Sequence, residues 1–456
     1  MGTAARAAAD WTLFETAQGT DHKLREVTYS PAGPLSGAVA VDPAQRFQTI
    51  EGFGGALTES AGWVLAQLPR DKRDEVVRRY YDPKIGIGYT LARTQINSCD
   101  FSLGCWALDP VAGDTTLSHF SLAPMRAWVL PLIHDAIEAG GRKHFHLLAS
   151  PWSPPSWMKT NGQMTHGGKL KPEDREVWAE YLAKFIGEMK RQESIDIWAL
   201  TIQNEPAATQ TWESCLYTAE EERDFIRDFM GPALQRAGLN QVKLCILDHN
   251  RDLVDAWTRT IFSDPMASRY CWGTAMHWYV SDDFAAPARA HAAFPDKPTI
   301  MTEACCDSEP EFGKFGIGNW EHAERYAHSF VNDFNNWVSG WIDWNIALDQ
   351  AGGPNHVGNF CDAPVIVNTE TGQVTYEPSY YYIGQFSKFV HPGARRIGIS
   401  VTAAPLEAVA FANPSGELAV VVLNRSNRPV DFSLSAAGAS RPAHIPAHAI
   451  QTYLKG

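Results

Sequence analysis

Apolar positions fall into short runs that each close on polar or aromatic side chains, separated by stretches with a different period. The runs cover residues 48–54, 89–97, 144–150, 197–204, 242–248, 273–277, 299–303 and 340–345, and each reads as a strand. Between the third and fourth, Val177, Trp178, Tyr181, Leu182, Phe185, Ile186 and Met189 recur at three- and four-residue steps, the period that gives a helix one buried face. The segment from Pro124 to Ala139 closes on Gly140-Gly141, and Thr218, followed by an alanine and three glutamates, is an N-cap-like start to a helix running towards Gly238. Strand and helix therefore alternate. Eight such units are the number that closes an α/β fold of the (β/α)8 TIM-barrel type, whose working face lies at the carboxyl ends of the strands. A doubly wound open sheet is the alternative, but no Gly-x-Gly-x-x-Gly turn opens a first βαβ unit.

After about Ser387 the texture changes to alternating, β-rich sequence at 408–412 and 418–423, broken by turn residues at 413–416 and 424–427. This predicts a β-sandwich. The stretch 24–41 also looks extended, so the side domain is expected to be built from both chain ends: residues 1–46 and 387–456 around a barrel at 47–386.

Composition narrows the partners. The chain has 456 residues with 45% hydrophobic content, enough for one large core and a smaller module. Its apolar runs fall short of the roughly 18 to 20 residues that span a bilayer. With 39 basic against 52 acidic side chains the net charge is -13, and no Lys/Arg block stands out to neutralise a phosphate backbone. Nucleic acid is excluded, and contact with anionic lipid is at most peripheral, through exposed apolar side chains. The eight cysteines, Cys99, Cys105, Cys215, Cys245, Cys271, Cys305, Cys306 and Cys361, lack paired C-x-x-C spacing, so neither a metal nor a cofactor is expected and most should be buried thiols. Arg6 stands where a myristoylation motif wants Ser or Thr, and the alanine-rich start reads as the tail of a trimmed export signal or an added leader.

The candidate chemistry sits at strand ends. One apolar run from Trp198 ends abruptly in Asn204, Glu205 and Pro206, and another, from Thr299, ends in Glu303. Each glutamate alone reads as a surface carboxylate past a strand. As a pair ending strands four and seven, they can lean over one cavity, with one neutral and one ionised carboxyl, the requirement for cleaving a glycosidic bond.

With these motifs in hand the sequence resembles glycoside hydrolase family 30, in its glucosylceramidase branch. The resemblance is carried by EGFGGALTES at 51–60, SCDFS at 98–102, ASPWSPPSWMKTNG at 149–162, the Asn204-Glu205-Pro206 segment, His277-Trp278-Tyr279, Thr302 to Cys305, and GWIDWNIAL at 340–348, in the family's order. It implies a retaining mechanism with Glu205 as acid/base and Glu303 as nucleophile. Glucose contacts then fall on Asp100, Trp152, Asn204, Trp344 and Asn359, with His277 and Tyr279 beside the nucleophile. Those residue types suit a neutral sugar, whose hydroxyls bond to Asp and Asn and whose C–H face packs on indole. Taken alone, Asp100 reads equally as an ion-pair partner of Arg93, and His277 and Tyr279, two apart on one face, as groups that orient Glu303. Cys305 and Cys306 read as buried thiols or a redox liability. The resemblance further implies a neutral β-glucoside or a glycosphingolipid, foremost glucosylceramide, as substrate. A soluble β-glucoside or β-1,6-glucan is the alternative, and a non-catalytic carbohydrate-binding barrel the remote one. One departure is His356, where mammalian lysosomal members carry an aromatic residue. Candidate lipid contacts at the rim are Phe312, Phe315, Ile317 and Trp320, in a glycine-rich segment expected to be a loop.

Overall fold

Each of the eight apolar runs holds a strand, and the strands pair in chain order and close into a barrel. They are Gly52–Ala56, Leu91–Ile96, His146–Pro151, Ile197–Thr201, Lys243–Asn250, Cys271–His277, Thr299–Glu303 and Val338–Asp343, numbered one to eight below. The computed structural model describes residues 11–29, 33–306, 318–436 and 438–456. It divides into two units, one of residues 53–317 and 340–375, the other of residues 1–52, 318–339 and 376–456.

Almost every residue of the barrel strands is buried, as expected for parallel strands covered on both faces. Leu91, Leu148, Ala199, Cys245, Ala275, Ile300 and Ile342, one from each of strands two to eight, form a single buried cluster. Strand one is glycine-rich for a steric reason: a Cβ on Gly54 would lie 2.0 Å from the Leu91 carbonyl oxygen on strand two. The run at 48–54 is in fact divided, because Gln48 and Thr49 end a long strand, Ala38–Thr49, of the other unit.

The predicted helices form. The amphipathic stretch lies within Arg175–Glu193, with Trp178, Tyr181, Leu182, Phe185, Ile186 and Met189 buried. The Pro124 segment resolves into a short turn of helix and Val129–Gly140, which ends at Gly141 with φ of 79°. Thr218 and Glu221 close a reciprocal capping box on the helix Ala219–Phe225. No helix among the described residues is long and apolar enough to cross a membrane, and seven of the eight cysteines are buried.

The second unit holds a nine-stranded sheet in which both chain ends interleave. Thr12–Ala17 pairs antiparallel with Ala449–Lys455, and Ala38–Thr49 runs between Val430–Ala436 and Arg395–Val401. Val420, Val422, Phe432, Leu434 and Tyr453 anchor its core. Thr12–Ala17 lies ahead of the stretch predicted to be extended. Its alternation is masked by Glu15, which is fully buried yet satisfied by His22, Tyr29 and Gln451. Of the four proposed rim residues, Phe312, Phe315 and Ile317 lie outside the described residues. Trp320 is not in a loop: it is the first residue of the helix Trp320–Asn335, half-buried and edge-on to Tyr382 at 5.7 Å, so packing within this unit accounts for it.

Two glycines should answer oppositely to alanine. Gly54→Ala is expected to destabilise the barrel by about 3 kcal/mol, since backbone has to move. Gly187→Ala, inside Arg175–Glu193 with nothing within 4 Å of the added carbon, is expected to stabilise by about 0.5 to 1 kcal/mol. Urea unfolding midpoints measure both.

Candidate active site

A single buried guanidinium organises the carboxyl ends of the strands. Arg93 on strand two is fully buried. Its Nε donates to Ser150 Oγ at 3.1 Å, Nη1 donates to Glu303 Oε2, and Nη2 donates to Asn204 Oδ1 at 2.7 Å and Asp248 Oδ2 at 2.9 Å. The rings of Trp152 and Trp344, stacked on one another at 5.3 Å, lie 4.7 and 5.5 Å from it, within cation–π range. Arg93 is thus the partner of Asp248 and Glu303, not of Asp100, and the alternative reading of an Asp100–Arg93 ion pair does not hold.

Asp248 is the second hub. It accepts from Arg93, from Thr201 Oγ1 at 2.7 Å, from Thr302 Oγ1 at 2.6 Å and from His277 Nε2 at 3.0 Å. Burial alone would raise its carboxyl, but the charges of Arg93 and His277 hold it well below the usual carboxylate range. His277 lies between the two glutamates: its Nδ1 is 3.4 Å from Glu205 Oε1 and 4.0 Å from Glu303 Oε1. Burial lowers the imidazole, yet the Glu303 charge and the bonds to Asp248 and Glu205 prevail and push it up to about 9. At neutral pH it is therefore an imidazolium.

Glu303 ends strand seven as predicted, accepting from Arg93 on one oxygen and from the Tyr279 hydroxyl at 2.8 Å on the other. Glu205 is set by the backbone: its φ of 47° turns the chain out of strand four, and its N–H donates to the Asp248 carbonyl at 2.9 Å. Its side-chain contacts are looser, with Gln210 at 3.4 Å and His249 at 3.8 Å besides His277. Burial and the Glu205 charge keep the Glu303 carboxyl above its ordinary range, against the pull of His277, Arg93 and Tyr279. Burial acts on Glu205 too, but His277, His249 and Gln210 together hold it below. The imidazolium lowers both carboxyls, and its hydrogen bond falls to Glu205 alone.

All of the predicted site residues except His277 line one cavity of about 330 Å³. His277 supports it from behind, fully buried, and hydrogen-bonds Glu205 and Asp248 where an orienting contact to Glu303 was expected; Tyr279 makes that contact. Asp100 accepts from Asn359 Nδ2 at 2.9 Å on one oxygen. Its other oxygen is buried with no protein hydrogen-bond partner among the described residues. Burial and the Glu303 charge push this carboxyl well above its ordinary range. Sequence reading passed over Asp248, the real role of Arg93, and the lining residues Gln210, Trp212, His249, Asn250 and Val280. Asp248, His249 and Asn250 close strand five, the strand-end signal that revealed the glutamates.

A closed barrel whose strand ends surround paired carboxyls, amides and stacked indoles defines a carbohydrate-active enzyme. The profile of the Glycosyl hydrolase family 30 TIM-barrel domain matches residues 50–390, and that of the family's beta sandwich domain matches residues 393–453. The chain belongs to glycosyl hydrolase family 30 and is a glycoside hydrolase. It is 36% identical over 432 residues to the lysosomal acid glucosylceramidase of Mus musculus, covering 91% of this chain and 83% of that protein. The crystal structure of SrfJ from Salmonella typhimurium superposes with a TM-score of 0.91 at 34% identity, covering 97% of this chain and 99% of that one. The endo-beta1,6-glucanase BT3312 superposes with a TM-score of 0.88 at 26% identity, covering 98% and 99%.

The histidine gives a pH test of this electrostatic frame. A value raised from 6.5 to about 9 contributes stability that is fully present below pH 6.5 and lost as pH rises through about 9. The stability gap between wild type and His277→Gln is therefore expected to be widest in weak acid and to narrow across that window, as read from thermal midpoints at a series of pH values.

Proposed function

We propose that this chain is a retaining β-glucosidase acting by double displacement, with Glu303 as nucleophile and Glu205 as acid/base. The observation that carries the reading is the contrast between the two carboxyls on either side of His277. Glu303 accepts from a guanidinium and a phenol, one on each oxygen, donors that favour a carboxylate aimed and ionised for attack. Glu205 has only long contacts and lines the cavity, as a group that must give up and retake a proton does. The pair titrates as a unit. Over the pH window in which it holds one proton, the shifts without substrate favour that proton on Glu303; the productive form carries it on Glu205, and a bound glucoside favours this form because its glycosidic oxygen accepts only from a protonated acid. Forming the covalent glycosyl-enzyme removes the Glu303 charge and its repulsion, so Glu205 becomes the base that activates water.

Asp100, Asn204, Asn359, Trp152 and Trp344 are assigned to the glucose unit, with the unpartnered Asp100 oxygen as acceptor for a sugar hydroxyl. For the leaving group we favour ceramide, because the mouse relative at 36% identity is named a glucosylceramidase. Trp212 and Val280, the latter 66% exposed, offer apolar surface beside the cavity. A second reading, a β-1,6-linked glucoside, draws support from Gln210, His249 and Asn250, polar groups clustered on the Glu205 side, and from the likeness to BT3312. Given the net charge of -13, activity on glucosylceramide should respond more to detergent than to anionic lipid.

Glu303→Gln is expected to abolish turnover of every substrate. Glu205→Gln should lower turnover of alkyl glucosides by about 10²- to 10⁴-fold while sparing the first step with nitrophenyl glucosides, whose leaving group needs no protonation. Equal losses on both substrates, or an α-configured first product by NMR, would show the roles to be misassigned. Rates on short-chain glucosylceramide against gentiobiose decide between the two leaving groups.

A further inference from the structure

Behind the sugar cavity, two titratable side chains meet that the proposed mechanism does not use. Glu213, whose side chain is fully buried, comes from the segment that follows strand four, and His356 from the turn that carries Asn359. Glu213 Oε1 accepts from Ser98 Oγ, while Oε2 faces His356 Nε2 at 3.4 Å. Neither of those two facing atoms has a hydrogen-bond partner among the described residues, so they meet as a charge pair. The other imidazole nitrogen, Nδ1, is 3.1 Å from the Ser102 carbonyl. Both ring nitrogens thus face acceptors, and only an imidazolium can donate to both.

The turn itself is drawn together by Asn355, whose Oδ1 accepts from Val357 N and Asn359 N and whose Nδ2 donates to the Asn359 carbonyl. Two ties then run from this turn to the loop after strand two: Asn359 to Asp100, and His356 to Ser102, two residues further on. We infer that His356 and Glu213 form a protonation-dependent clamp that positions Asn359, and through it Asp100, for sugar binding. The inference rests on the glucoside reading of the cavity. His356 acts here as a positioning residue, since it does not line the cavity.

The titratable groups bearing on the imidazole are Glu213 and Asp100; Cys99 and Cys105 bear on Glu213, and both thiols are raised, the buried Cys99 well above its ordinary value and the surface-exposed Cys105 up to about 11 by partial loss of hydration. Burial lowers the imidazole, but Glu213, the Ser102 carbonyl and Asp100 outweigh it, so its value is raised above 6.5. The clamp is therefore closed below pH 6.5 and opens as pH rises through the raised value. The proton leaves Nε2, because Nδ1–H stays on the Ser102 carbonyl. A lone pair then faces a buried carboxylate, and the repulsion loosens the turn.

The test is KM, separated from kcat, for 4-nitrophenyl β-glucoside at several pH values in wild type, Glu213→Gln and His356→Gln. Wild-type KM is expected to rise about tenfold between weak acid and alkaline pH, the order of effect of one lost buried charge contact. Glu213→Gln should hold KM flat near the wild-type acid value, since its amide can donate to a neutral Nε2. His356→Gln should be flat at a higher KM. The pH profile of kcat should be common to all three, because the carboxyl pair is untouched. An NMR titration should find the His356 ring protonated to higher pH in wild type than in Glu213→Gln. One KM profile shared by all three proteins, or a ring titrating alike in both backgrounds, would overturn the clamp. Absence of any wild-type glucosidase activity would instead count against the glucoside reading, and the NMR titration would still decide the clamp.

Discussion

The site depends on the burial of Arg93. A guanidinium without water is tolerated only where its donors are met and its charge is opposed, and removing one partner of such a buried pair typically costs about 3 to 5 kcal/mol. Here Ser150, Asn204, Asp248 and Glu303 take up the donors, from strands three, five and seven and from the residues just past strand four. The two stacked indoles lie beside it, within cation–π range. Of these groups, Asn204, Glu303, Trp152 and Trp344 line the cavity. One cation therefore serves both as the electrostatic counterweight of two acids and as the physical link between strand ends far apart in the chain.

Around this link the backbone is bent into shapes that side chains ordinarily avoid. Asn97, Glu205, Leu247, Asp248 and Asn345 all have positive φ without being glycine, and all lie at or just past the carboxyl ends of barrel strands. Each is held by specific bonds. Asn97 donates to the Ser153 carbonyl, the Glu205 N–H is fixed on the Asp248 carbonyl, and Leu247 N–H is taken by the buried carboxylate of Glu222 at 3.0 Å. Asn345 accepts from Thr58 at 2.6 Å. Of these five, Glu205 lines the cavity itself, and the others lie at the strand ends around it.

Much of the architecture was legible in the sequence because it rests on short-range regularities. The three- and four-residue period from Val177 to Met189, the Thr218 capping signal and the apolar runs each report a local preference, and all formed as read save the first run, which is divided between two strands. The reading was incomplete where a tertiary partner overrides the local pattern. Glu15 hides the alternation of Thr12–Ala17 and is acceptable in a core only because His22, Tyr29 and Gln451 reach it from other strands and turns. Trp320, just after a glycine-rich stretch, looks like an exposed loop residue until Tyr382, some sixty residues on, supplies its packing surface.

By itself the sequence determined the strand and helix alternation, the carboxyls of Glu205 and Glu303 at two strand ends, and the indoles and amides suited to a sugar, because residue type and spacing along the chain carry that information. Only the tertiary structure decided which charges oppose which: that Arg93 belongs to Asp248 and Glu303 and leaves Asp100 to Asn359, that His277 stands between the glutamates, and that Glu213 meets His356. The reason is physical. Electrostatic interaction in a dry interior depends on distance and burial, and those are set by barrel closure and not by proximity in sequence.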